Sequence, residues 1–127
     1  MHAFEELEVW KEARKFRMAI SAIVKQFPKQ ETYMLANQML RSSRSVPANI
    51  AEGFGRFHFQ ENIQFCRQAR GSLTETMDHI ICAYDEKLID IQTCRELRLK
   101  YQTCLRLLNG YISYLKKSKS DGITNNQ

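Results

Sequence analysis

The chain has 127 residues, of which 43% are hydrophobic and 26% charged, with only 5 Gly and 2 Pro. That is the make-up of one domain able to bury roughly two-thirds of its extended surface without a metal or disulfide staple. It excludes most multi-domain enzymes, collagen-like and low-complexity tracts, and a turn-rich all-β sandwich. Nineteen Lys and Arg against fourteen Asp and Glu leave a net charge of +5, which suits an anionic partner without naming one. The charge is uneven: +1 over residues 1–40, +3 over 41–70, −4 over 71–94 and +5 over 95–127.

In the first stretch, Val9, Ala13, Phe16, Ile20, Ile23 and Phe27 repeat in steps of three and four, the spacing of one helix face. A helix is predicted from Phe4 to Phe27, ended by Pro28, which lacks an amide hydrogen and disfavours helical geometry in the residue before it. Leu7, Trp10 and Met18 fall away from this stripe, and surplus apolar surface on a helix already facing a core means either a subunit interface or a wide core face. Glu5, Glu6 and Glu8 stand where a signal peptide would need cations.

Thr32 is the predicted N-cap of a second helix running to Phe54, with Leu35, Met39, Val46 and Ile50 inward and Pro47 kinking or breaking it. The third helix is predicted from Phe59 to Leu88 on the stripe Phe59, Ile63, Cys66, Arg70, Leu73, Met77, Ile80 and Tyr84. Gly71 inside it costs about 1 kcal/mol relative to Ala, which implies a packing reason. Arg70 lies on the stripe itself and needs a partner, for which Glu52 is the candidate. Asp90 should cap the fourth helix, whose stripe is Ile91, Cys94, Leu97, Tyr101, Cys104, Leu108, Tyr111 and Leu115. Lys116, Lys117 and Lys119 suit its C-terminal dipole.

Four such helices can bury their stripes only against each other, so the expected fold is all-α, an antiparallel up-down-up-down four-helix bundle over residues 1–117 with a flexible polar tail, 118–127. No apolar run of 18 residues occurs, so no membrane span is expected. Cys66, Cys82, Cys94 and Cys104 form no CxxC pair and read as reduced, mostly buried thiols of a cytoplasmic protein.

The chemistry of a di-iron bundle would need two Glu-x-x-His pairs, and the three histidines do not supply them. Ser42, Ser43 and Ser45 read as small packing residues with no base in reach. Gly53-Phe54-Gly55-Arg56 lacks the strand and third glycine of a dinucleotide loop, and its expected job is to end the second helix. No enzyme activity, metal, cofactor or small-molecule substrate is therefore expected. The informative set is Arg41, Arg44, Arg56, His58, Arg67 and Arg70, interleaved with Phe54, Phe57, Phe59 and Phe65: arginine forks bind phosphate and aromatic faces stack on bases, the alternative being that the aromatics are core and the arginines pair with Glu52, Glu61 and Glu75 or stay solvated.

The segment Ser45-Val-Pro-Ala-Asn-Ile-Ala-Glu-Gly-Phe-Gly-Arg56 closely resembles the bacterial four-helix-bundle family of proteins encoded in 23S rRNA intervening sequences. The opening Phe4-Glu-Glu-Leu-Glu-Val-Trp-Lys-Glu-Ala13 and Gly71-Ser-Leu-Thr-Glu75 extend the resemblance over about residues 4–116. It implies a left-handed bundle that assembles as a ring-like homopentamer, with no established enzymatic activity. A related branch, the accessory variability determinant of diversity-generating retroelements, is a basic pentameric barrel that binds nucleic acid and a reverse transcriptase. The family's recurring Asn49, Glu52, Gly53 and Arg56 are all present, with Asn49 and Glu52 expected to satisfy backbone or arginine groups near Pro47. The expected function is thus a homo-oligomeric module binding RNA or a ribonucleoprotein through Arg-rich surface. The alternative is a structural module for protein partners alone.

Overall fold

The computed structural model describes residues 3–121. Most of the predicted tail lies outside the described residues. Four helices follow in order: α1 (Glu8–Val24), α2 (Leu35–Phe54), α3 (Phe59–Asp85) and α4 (Ile91–Ser120), with short 3₁₀ turns at Phe4–Glu6 and Lys29–Glu31. Each helix packs against its neighbours in the order α1, α2, α3, α4 and back to α1, while the diagonal pairs make no close backbone contact among the described residues. This is the up-down-up-down bundle, and Phe16, Ile20, Met39, Ile50, Leu73, Ile80, Leu108 and Leu115 fill its centre.

The chain enters differently from the sequence expectation. In place of one helix from Phe4, a 3₁₀ turn leads to Leu7, whose extended backbone (φ −69°, ψ 126°) precedes α1. That extended residue points its side chain inward: Leu7 is only 7% exposed and belongs to the core, not to a subunit interface. Trp10 is half-buried against the core, with Phe4 edge-on at 5.2 Å, whereas Met18 is 54% exposed. Thr32 ends the second 3₁₀ turn and does not cap α2, which begins after Met34 with no side-chain cap.

Helix α2 runs unbroken through the buried Pro47. Proline removes the amide that would have bonded the Ser43 carbonyl. Two residues on, Asn49 Nδ2 donates to both the carbonyl and the hydroxyl of Ser45, each at 2.9 Å.

Helix α3 stops at Asp85, three residues before the predicted Leu88. Lys87 takes a left-handed conformation (φ 62°), its amide bonds the Tyr84 carbonyl at 3.0 Å and the Leu88 amide reaches Ala83 at 2.9 Å. These paired bonds satisfy carbonyls the helix end would otherwise orphan. Asp90 then caps α4 as expected, accepting from the Thr93 amide at 2.8 Å, and that bond holds its carboxyl below the usual range. The helix continues to Ser120, with Ser118 buried past the predicted boundary.

Candidate functional site

Small polar residues knit α2 to α3. Ser45 and Ser72 hydroxyls meet at 2.9 Å, and Thr76 Oγ1 shares its proton between Ser42 Oγ at 2.7 Å and the Ser72 carbonyl at 2.8 Å. Nearer the turn, Gly53 is buried with Asn62 and Phe65 directly against its Cα, so it lies inside α2 and serves close approach, while Gly55 follows the helix. Asn62 is fully buried, donates to the Tyr111 hydroxyl of α4 at 3.2 Å and accepts from the Cys66 thiol at 3.5 Å. Burial pushes the Cys66 thiol and the Tyr111 hydroxyl up to about 12 each, and the Asn62 bond only partly offsets it for Tyr111. Cys104 is likewise raised to about 12 by burial, with Glu12 adding to it. The four cysteines are free thiols: three are buried and Cys82 is half-buried.

Gly71 has no such role. It is exposed, and a Cβ there would meet nothing within 4 Å, so the packing reason expected from sequence is absent.

The predicted cations do not converge on one surface. On the α2 flank of α3, exposed Arg41 lies 3.8 Å from Glu75, and Arg44, one turn on, is exposed and forms no ion pair among the described residues. Arg56, in the α2–α3 turn, is held by Glu52 at 3.2 Å and Glu61 at 3.6 Å and lies 5.0 Å over the Phe65 ring. Glu52 therefore serves Arg56. Arg70 instead donates to Asn109 Oδ1 of α4 at 2.8 Å, because its position on α3 faces α4 and not α2. His58 precedes α3, exposed and edge-on to the exposed Phe57 at 5.3 Å. Phe59, by contrast, belongs to the core.

Arg67 sits on the α4 flank. It lines a groove of about 380 Å³ with Gln60, Ile63, Lys116, Lys119 and Ser120, in which Lys119 donates to Gln60 Oε1. Helix α4 itself carries seven Lys and Arg against Glu96 alone. Arg95, Arg106 and Lys117 are exposed and eleven residues apart, close to three helical turns, so they form one straight row spaced about 16 Å. This helix lies outside the arginine set expected between residues 41 and 70, although the +5 segment after residue 94 was its signal.

The sequence matches the family described as 23S rRNA-intervening sequence protein over residues 5–110. The chain belongs to that family. A crystal structure of a protein of unknown function from the S23 ribosomal protein family of Bacteroides thetaiotaomicron superposes with a TM-score of 0.76 at 21% identity. The alignment covers 82% of this chain and 97% of that one, which establishes the shared bundle. A search of curated proteins finds no match. Among the described residues no helix is long and apolar enough to cross a membrane, and no three His, Cys, Asp or Glu gather as a metal would need.

Proposed function

We propose that this family member is a non-enzymatic, homo-oligomeric helical module that binds RNA or a ribonucleoprotein through surface cations. The observation that carries the reading is α4, with seven cations to one carboxylate and the row Arg95, Arg106 and Lys117 held rigid and exposed along one helix. Cations at fixed spacing with few acids between them match a phosphate backbone and read no base edge. Arg41 and Arg44 lie on α2, diagonal to α4, and form a separate patch in which Arg41 faces Glu75, whereas Arg56 is committed to Glu52 and Glu61.

The test is affinity for single-stranded RNA across a salt series. Log affinity should fall linearly with log salt, and changing Arg95, Arg106 and Lys117 together to Gln should flatten the slope by about 0.7 per lost contact. No binding at low salt, or binding indifferent to salt, overturns the reading.

Self-association is supported by the exposed Met18 beside Trp10, Arg14 and Lys15 on an open groove of about 510 Å³, and by the resemblance to ring-forming relatives. Light scattering should give a multiple of 14.9 kDa, with a pentamer as the expected size. A monomer at micromolar concentration overturns this part. The same α1 surface favours the second reading, a docking face for another polypeptide. A partner retained after nuclease treatment and lost in Met18→Glu would support that reading.

A further inference from the structure

We propose that the groove between the start of α3 and the end of α4 is a phosphate-binding site, with Arg67, Lys116 and Lys119 as its charged donors. The proposal deepens the nucleic-acid reading and rests on it only for the macromolecular source of the phosphate.

Three cations line one groove, and among the described residues no carboxylate lines it with them. Like charges lining one groove raise each other's energy until an anion enters. The dipole at the end of α4 accounts for Lys116 and Lys119, but Arg67 stands two turns inside α3, beyond the reach of any helix end. Arg67 also makes no ion pair among the described residues, unlike Arg41 and Arg56. Its planar fork fits two oxygens of a tetrahedral anion, and two ammonium groups supply point charges to the rest. A single carboxylate would leave the three cations undercompensated. Around them, Gln60, whose Oε1 accepts from Lys119, keeps its amide nitrogen as a neutral donor, the Ser120 hydroxyl donates to the Lys116 carbonyl, and Ile63 forms an apolar wall. The volume of about 380 Å³ exceeds that of a phosphate and leaves room for an adjoining sugar.

The probe is inorganic pyrophosphate, titrated into the full chain and followed by amide chemical shifts, with sodium chloride at matched ionic strength as the reference. Saturable shifts confined to residues 60–67 and 116–120 are expected, weakened about tenfold or more in R67Q/K116Q and unchanged in the charge-matched K25Q/K29Q at the other end of the bundle. R67K, which keeps the charge and loses the fork, should weaken binding less than R67Q; circular dichroism verifies each fold. Shifts equal to those in chloride, or unaffected by R67Q/K116Q, overturn the proposal.

Two single-stranded RNAs of one sequence, with a 5′-phosphate or a 5′-hydroxyl, then separate the sources. Preference for the former that vanishes in R67Q/K116Q assigns a terminal phosphate. Equal binding that weakens in the double variant assigns the backbone. RNA affinity wholly unaltered by the double variant overturns the groove as a contact for RNA and leaves the RNA reading standing, whereas pyrophosphate binding without RNA binding keeps the site and overturns the RNA reading.

Discussion

Gly53 of α2 and Asn62 of α3 approach so closely that a Cβ on Gly53 would stand 2.6 Å from Asn62 Oδ1 and 3.1 Å from its carbonyl oxygen. Asn62 is fully buried and fixed by bonds to Tyr111 and Cys66, so it has no room to withdraw. Gly53→Ala should therefore destabilise by about 1–3 kcal/mol, even though alanine favours helix by close to 1 kcal/mol. Gly71→Ala is the opposite case: with open space around it, the substitution should stabilise by about 0.5–1 kcal/mol. Urea unfolding of the two variants checks the contrast in sign.

Thr76→Val keeps the shape of a fully buried side chain and deletes its hydroxyl. Ser42 Oγ and the Ser72 carbonyl each lose that donor, so a loss of about 1–3 kcal/mol is expected. A similar substitution at exposed Thr74, whose hydroxyl bonds only its own helix, should cost far less. Thermal melts of both variants make the comparison.

Alkaline pH should unfold the bundle through its buried acids. Cys66, Cys104 and Tyr111 have folded values raised to about 12, so their contribution is complete below the unfolded thiol value near 9 and is lost as pH climbs toward 12. Each fully engaged thiol steepens the loss by about 1.4 kcal/mol per pH unit. Stability of Cys66→Ala plotted against pH from 8 to 11 should fall less steeply than wild type, about one proton's worth, as judged by chemical denaturation.

Asp90 gives the reverse dependence. Its carboxyl is lowered by the Thr93 amide, so its capping contribution is present above the unfolded value near 3.9 and disappears as pH falls through the folded one. Asp90→Ala should lower Tm at neutral pH and converge with wild type in acid. Asp90→Asn, which keeps an acceptor without a titrating charge, should flatten the profile.

The left-handed Lys87 costs roughly 1 kcal/mol relative to a residue without a Cβ. Lys87→Gly should raise Tm by several degrees, and differential scanning calorimetry would detect it.

The helices were legible because Val9, Ala13, Phe16 and Ile20 and their counterparts keep their spacing over several turns, and Asp90 was legible because its cap is local. Leu7 was not: one extended residue redirects its side chain, and periodicity carries no warning of that. Nor was Arg70's partner, since Glu52 and Asn109 differ only in which flank of α3 faces them. Arginines near aromatics stand out in the sequence, which separates Arg67 from Lys116 and Lys119, although antiparallel packing brings the three to one groove. Gly53 and Gly71 look alike in sequence, and only the neighbouring helix distinguishes them.

Apolar surfaces are nearly indifferent to one rod sliding past another, but a hydroxyl that must meet a hydroxyl is not. The Ser45–Ser72 and Ser42–Thr76 pairs set the height of α3 on α2, and the Asn62–Tyr111 and Arg70–Asn109 bonds hand that height on to α4. The altitude at which Lys116 and Lys119 stand opposite Arg67 is thus inherited from a seam on the far side of α3. An enlarged side chain at Ser45 or Ser72 would detune that alignment without touching a single cation.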